Sequence, residues 1–255
     1  MSDFLFFTMR EQLQCYLCQK QNTMFGLPTH LQNTADAELK QIMQRVVMLQ
    51  NGAVASQMAK SGVRGLMNYG VAVTDLRRIA AETGTNHELA RRLCPLNIRE
   101  ARILASMLFD AAQLTADDFE LIFNSITNID MAENFARNII GKIADCEFYN
   151  RLVSGDKWHT LAAIHGVGWA VAQGAGKEIA AWFVSHLEAI AEQAIPETLQ
   201  PLLTTMESVA RTSEANRAAI AAKAAEMAAS ASAFSQTLGR QYQWLATDSP
   251  TDNLS

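Results

Sequence analysis

Only 5 prolines and 13 glycines interrupt 255 residues, too few chain breakers for the turns of a many-stranded sheet. Aromatic residues make up 7% of a chain that is 49% hydrophobic, so Ala, Leu, Ile, Val and Met must build the core. Four cysteines, Cys15, Cys18, Cys94 and Cys146, are too sparse for a disulfide framework. Cys15 and Cys18 form a C-x-x-C, but no second pair completes four ligands and only His30 lies near, so no metal site is expected. The two thiols read better as ordinary half-buried cysteines. Long apolar runs are also lacking: Phe4-Leu5-Phe6-Phe7 is too short for a signal sequence, and nothing approaches the ~18 apolar residues that span a bilayer. The expectation is a cytoplasmic protein without a membrane partner and without a cofactor.

A surplus of positive charge is missing as well. The net charge is -5, which argues against a chain coated in phosphate-binding cations. The charge is nevertheless uneven. From Arg64 to Arg102, seven arginines face four acids, a local surplus of three; from Ala175 onward, five bases face nine acids, a deficit of four. An anionic partner should therefore meet the middle of the chain.

What is present is helical periodicity. Residues 36–50 place Leu39, Ile42, Met43, Val46 and Val47 on one apolar stripe. Val54 to Lys60 reads as a short helix closed by Gly62. Thr74 is a candidate N-cap for 75–83, with Gly84 after it, and Asn86 for 87–94, which stops at Pro95. Asn97 with Glu100, and Thr115 with Asp118, have capping-box spacing for helices over 98–112 and 116–126. Amphipathic or apolar helices are expected over 130–143, 156–173, 177–194, 196–212 and 214–232. Three segments follow: an N-terminal helical piece (1–35), a single helical-repeat domain (36–246) and a disordered polar tail (247–255).

Between 73 and 143 the helices are short and joined by brief turns. Such pairs cannot bury their apolar stripes alone, so the pattern predicts an all-α chain: an α-solenoid, or α-α superhelix, of stacked helix pairs. Trp158, His165 and Trp169 fall near one helical face, which reads as core packing. Gly166 with Gly168, and Gly174 with Gly176, follow no strand and mark close helix packing, not a dinucleotide site.

From Asn68 to Asp110 the chain resembles the AlkD-type DNA alkylation repair proteins. The likeness is carried by Gly70-Val71, Leu76-Arg77, His87-Glu88-Leu89-Ala90-Arg91, Leu93, Arg99-Glu100-Ala101-Arg102 and Ala105. It continues more weakly through Ile143. It implies a solenoid of HEAT-like repeats that grips duplex DNA on a basic concave face, with arginines 77, 78, 91, 92, 99 and 102 as the candidates to line it. On composition alone, those arginines fit a solvated face paired to nearby acids equally well.

The resemblance also implies a chemistry. Active members excise alkylated purines by holding an aspartate beside the sugar, with tryptophans nearby, so that an anion lowers the energy of the developing positive charge. The family's Trp-Asp-x-x-Asp phrase corresponds here to Ile129-Asp130-Met131-Ala132-Glu133. Glu133 and Asp130 are thus the candidate catalytic carboxylates. Ile129 replaces the tryptophan, and Glu133 extends the expected aspartate by a methylene. The expected arginine falls near Leu161, and the next tryptophan falls in Glu207-Ser208-Val209. Two functions are expected from different classes: a non-catalytic relative binding DNA or a protein through its concave face, and a glycosylase using Glu133.

Overall fold

Residues 29–61, 63, 65–174 and 176–248 are described by a computed structural model, which forms two compact units, 1–41 and 42–255. Helix α1 (Thr29–Met48) crosses that division, and α2 (Gly52–Lys60) follows it. The rest of the second unit is α3 (Val73–Thr83), α4 (His87–Leu93), α5 (Arg99–Leu108), α6 (Ala116–Ser125), α7 (Ile129–Asn138), α8 (Cys146–Val153), α9 (Lys157–Ala172), α10 (Lys177–Glu192), α11 (Leu199–Ala210), α12 (Glu214–Ala228) and α13 (Ala233–Asp248). Short 3-10 turns lie at Ala111–Gln113, Ile140–Lys142 and Pro196–Thr198. Among the described residues the sole β feature is a bridge between Met67 and Ile98. No helix there is long and apolar enough to cross a membrane.

The helices form two layers. In one, α3, α5, α7, α9 and α11 pack in succession; the other holds α4, α8, α10 and α12, with α8 against α10 and α10 against α12. Helix α6 joins that second layer through side chains. Cys94 of α4's C-cap meets Ser125 at 3.1 Å, and the Phe119 ring stacks on Phe148 of α8 at 4.8 Å. Helix α9 touches α7, α8, α10 and α11. It is accordingly apolar on nearly every side, with Thr160 to Ile164, Gly166, Val167 and Ala170 buried.

A ladder of polar contacts shows the repeat. Cys94 to Ser125, Arg99 to Asp130 and Arg151 to Glu120 each span 31 residues. Ser106 to Asn138 and Asn150 to Trp182 each span 32. From α4 to α10 the helix pairs therefore repeat after about 31 residues, each contact tying one repeat to the next, and the step then lengthens, Thr205 of α11 meeting Ile164 of α9 across 41. This is the HEAT-like architecture in which stability comes from neighbouring repeats.

The local signals are partly as expected. Asn86 caps α4 by accepting from Leu89 N at 3.0 Å, and Asp118 closes the α6 capping box by accepting from Thr115 N at 2.8 Å. Two expected caps are corrected. Helix α3 starts a residue before Thr74 on the carbonyl of Ala72, which leaves Thr74 inside it. Ile98, not Asn97, is the N-cap of α5, because Glu100 turns away to accept from Tyr69 N and Val71 N, both at 3.2 Å. Helix α8 was not expected at all, and α13 carries Thr247 and Asp248 in helix where a disordered tail was expected. Cys15, Cys18, the side chain of His30, Gly62 and the tail over 249–255 lie outside the described residues.

Candidate functional site

The candidate carboxylates sit at the start of α7, where Asn128 accepts from Met131 N at 3.0 Å and so fixes the helix entry. Asp130 faces α5. Arg99 donates to it twice, Nε to Oδ2 at 2.7 Å and Nη2 to Oδ1 at 3.3 Å. The same guanidinium donates from Nη1 to Val71 O at 3.1 Å and to Glu100 Oε1 at 3.3 Å. Arg99 is 1% exposed and Glu100 is fully buried. A buried cation with two carboxylates and a carbonyl is a fork-shaped clamp that joins α5, α7 and the segment before α3.

Glu133 lies one turn beyond Asp130 and takes no part in this clamp. It projects into solvent, as does Arg137, and they are the two exposed positions of α7. Exposed though Glu133 is, partial burial of its carboxyl raises its pKa, and the Asp130 charge raises it further. The exposed side of α7 therefore belongs to Glu133 and Arg137, while Asp130 and Asn134 point along the layer.

On the neighbouring α9, Trp158, His165 and Trp169 form a half-buried stripe, and Trp169 reaches α7. The Arg137 guanidinium sits over the Trp169 ring, 4.8 Å from its centroid, a contact worth about 0.5–1 kcal/mol at such exposure. Gly141, in the turn after α7, makes room for it: a Cβ there would meet the Trp169 Cβ at 2.5 Å. His165 is pushed below its ordinary pKa by burial and stays neutral near pH 7. The exposed Glu133 and Arg137 of α7 thus lie beside the half-buried Trp169, with His165 and Trp158 on the same face of α9. The expected core stripe of α9 is only half-buried, and Arg137 was not singled out beforehand. Its signal was available, since it stands one turn after Glu133 on the polar side of an amphipathic helix.

The six arginines from 77 to 102 do not converge. Arg77 is exposed on α3. Arg78, beside it, donates to Asp75 at 2.9 Å. Arg91 of α4 lies 3.3 Å from Asp118 of α6, and Arg92 lies 3.8 Å from Glu88; both belong to the other layer. Arg99 is enclosed. Arg102 spans two backbone carbonyls, Leu96 O at 2.9 Å and Ser125 O at 3.3 Å, and burial lowers its pKa. Arg77 alone among them presents an exposed guanidinium on the α3–α11 layer without an acid partner among the described residues.

At the other aligned positions, Leu161 is buried, Glu207 and Ser208 are half-buried and Val209 is buried. Among the described residues no three His, Cys, Asp or Glu side chains cluster as metal ligands.

Residues 27–232 match the model of a family described as DNA alkylation repair enzyme. No curated protein matches the chain. A solved structure, described as a new family of proteins related to the HEAT-like repeat DNA glycosylases with affinity for branched DNA structures, superposes with a TM-score of 0.59. It is 15% identical, and the superposition covers 74% of this chain and 82% of that one.

Proposed function

Because the chain belongs to the DNA alkylation repair enzyme family, we propose that it is a DNA-binding member that does not excise bases and that holds DNA on the open, concave side of the α3–α11 layer. The observation that carries this reading is Arg137 seated on Trp169, one turn from Glu133. An excising site stabilises a developing cation with an anion and an open aromatic face. Here the ring face is occupied by a guanidinium, and that cation repels positive charge growing at the sugar. The same guanidinium is well suited to a phosphate, which it can bind with two parallel N–H groups.

Branched DNA is the preferred form of the ligand in this reading, by analogy with the structural relative and its stated affinity for branched structures. Arg77 and Arg137 supply exposed cations to the phosphates of its arms. The net charge of -5 favours a few placed contacts over a basic coat. The test is binding of a labelled four-way junction and a duplex over a salt series. Arg137→Gln should weaken binding and reduce the slope of log K against log salt by about one phosphate contact. Unchanged binding would remove Arg137 from the interface.

The second reading is an active glycosylase with Glu133 as the electrostatic carboxylate. It is favoured by the projection of Glu133 onto the same side as Trp169. A base-release assay on alkylated duplex separates the two readings. A third occupant, a protein partner, would bind without the salt dependence of phosphate contacts.

A further inference from the structure

Helix α13 lies beyond the 27–232 stretch that matches the family, and its seat on α12 is built for it. Gly239 allows backbone-to-backbone approach: a Cβ there would meet Ala224 O at 2.4 Å and Ala228 N at 2.5 Å. Leu238 and Tyr242 are buried on the same side. This seating fixes the rotation of the helix and turns Trp244 outward, 62% exposed. Thr237 and Arg240 continue that exposed stripe toward the N-terminus at helical spacing. No acidic side chain pairs with Arg240 among the described residues. The nearby cations Arg217 and Lys223 are spent, by contrast, on Glu214 at 3.1 Å and Glu188 at 2.7 Å.

We infer that Trp244 and Arg240 form a second nucleic-acid contact, which takes one unpaired nucleotide of a branched DNA: the base stacks on the indole and its phosphate meets the guanidinium. The inference rests on the DNA-binding reading above. An exposed indole has a flat face of the kind that every base stacks on, and an arginine one turn away complements the anion attached to that base. A second copy of the chain is a poorer occupant. A stable self-association buries about 1,000 Å² or more around an apolar centre, and Trp244 is the one large apolar side chain strongly exposed on α13 among the described residues. The stripe of Thr237, Arg240 and Trp244 carries a single cation, which suits a single stacked nucleotide and not a duplex groove.

The full chain is tested against two probes, a three-way junction carrying two unpaired thymines at its branch and a fully paired duplex. Trp244→Ala should weaken junction binding about tenfold, the loss of one stacked base, and leave duplex binding unchanged. Trp244→Phe should restore most of the loss. Arg240→Gln should lower the salt slope for the junction alone. If Trp244→Ala binds the junction like the parent while Arg137→Gln has lost both probes, the inference fails and the open-face reading stands. If the parent binds neither probe, the open-face reading fails and takes this inference with it. If Trp244→Ala instead converts a dimer to a monomer in sedimentation with DNA binding unchanged, the contact is self-association and the inference is overturned.

Discussion

Asp130→Asn is the sharpest perturbation of the clamp between repeats. The parent places a carboxylate with 17% exposed side chain against a guanidinium that is 1% exposed, through a two-point contact at 2.7 and 3.3 Å. Removing one partner of a buried pair costs about 3–5 kcal/mol, because the remaining charge is left uncompensated. Glu100 stays 3.3 Å from Arg99, and asparagine keeps one acceptor, so the cost should fall at the lower end, about 3 kcal/mol. For a protein of this size that lowers Tm by about 6–12 °C. The matched control is Glu133→Gln, an exposed substitution expected within about 0.5 kcal/mol of the parent. Urea denaturation followed by circular dichroism measures both. If Asp130→Asn unfolds within about 0.5 kcal/mol of the parent, Arg99 is satisfied without it. The clamp is then not the joint between repeats, and Asp130 is free for another role.

Three further outcomes follow from the same geometry. Gly141→Ala places a methyl on the Trp169 Cβ at 2.5 Å, so it should displace the indole, lower stability by about 1–3 kcal/mol and shift the tryptophan emission; an unchanged spectrum would contradict the packing. His165 has a lowered pKa in the folded state, so the unfolded chain binds the proton more readily. Stability is full above the unfolded value near 6.5 and declines as pH falls from there toward the folded pKa, and replacing His165 with Gln should flatten that slope below about pH 6.5. Cys94, held against Ser125 with its pKa pushed up to about 11 by burial, should resist thiol reagents in the folded protein and react on unfolding; labelling at the native rate in denaturant-free buffer would contradict this.

The helices were legible because their apolar spacing and caps are local. Asn86 and the Thr115–Asp118 box did what their positions promised. Glu100 did not, since a long-range demand outcompeted the local one: the amides of Tyr69 and Val71 needed an acceptor, and Arg99 needed a counter-charge. The repeat of about 31 residues was invisible for a related reason. Its equivalent polar contacts are made by different chemistries — Arg with Asp, Cys with Ser, Asn with Trp — so no polar pair marks the period, and the residues that do recur, Ala101, Ala132 and Ala163, are of too common a type to mark it. At the candidate site, the sequence placed Glu133 on an exposed face but joined Asp130 to it as a catalytic candidate. Adjacency on one helix hid the fact that the two point at different neighbours. Charge counting failed most clearly for the arginines, because a local surplus of three says nothing about which layer each one faces. Trp169 stands on a helix apolar enough to resemble core, and the contact that distinguishes it, Arg137 arriving from α7, is not local in sequence.

The central claim is that the open face holds DNA and does not cut the glycosidic bond. It is tested most directly by incubating the purified chain with duplex carrying 7-methylguanine and measuring released base, with four-way junction binding measured on the same preparation. The account predicts salt-dependent junction binding and release at the spontaneous background. Release above that background that disappears in Glu133→Gln, a variant expected to stay folded, would contradict it and make Glu133 a catalytic residue.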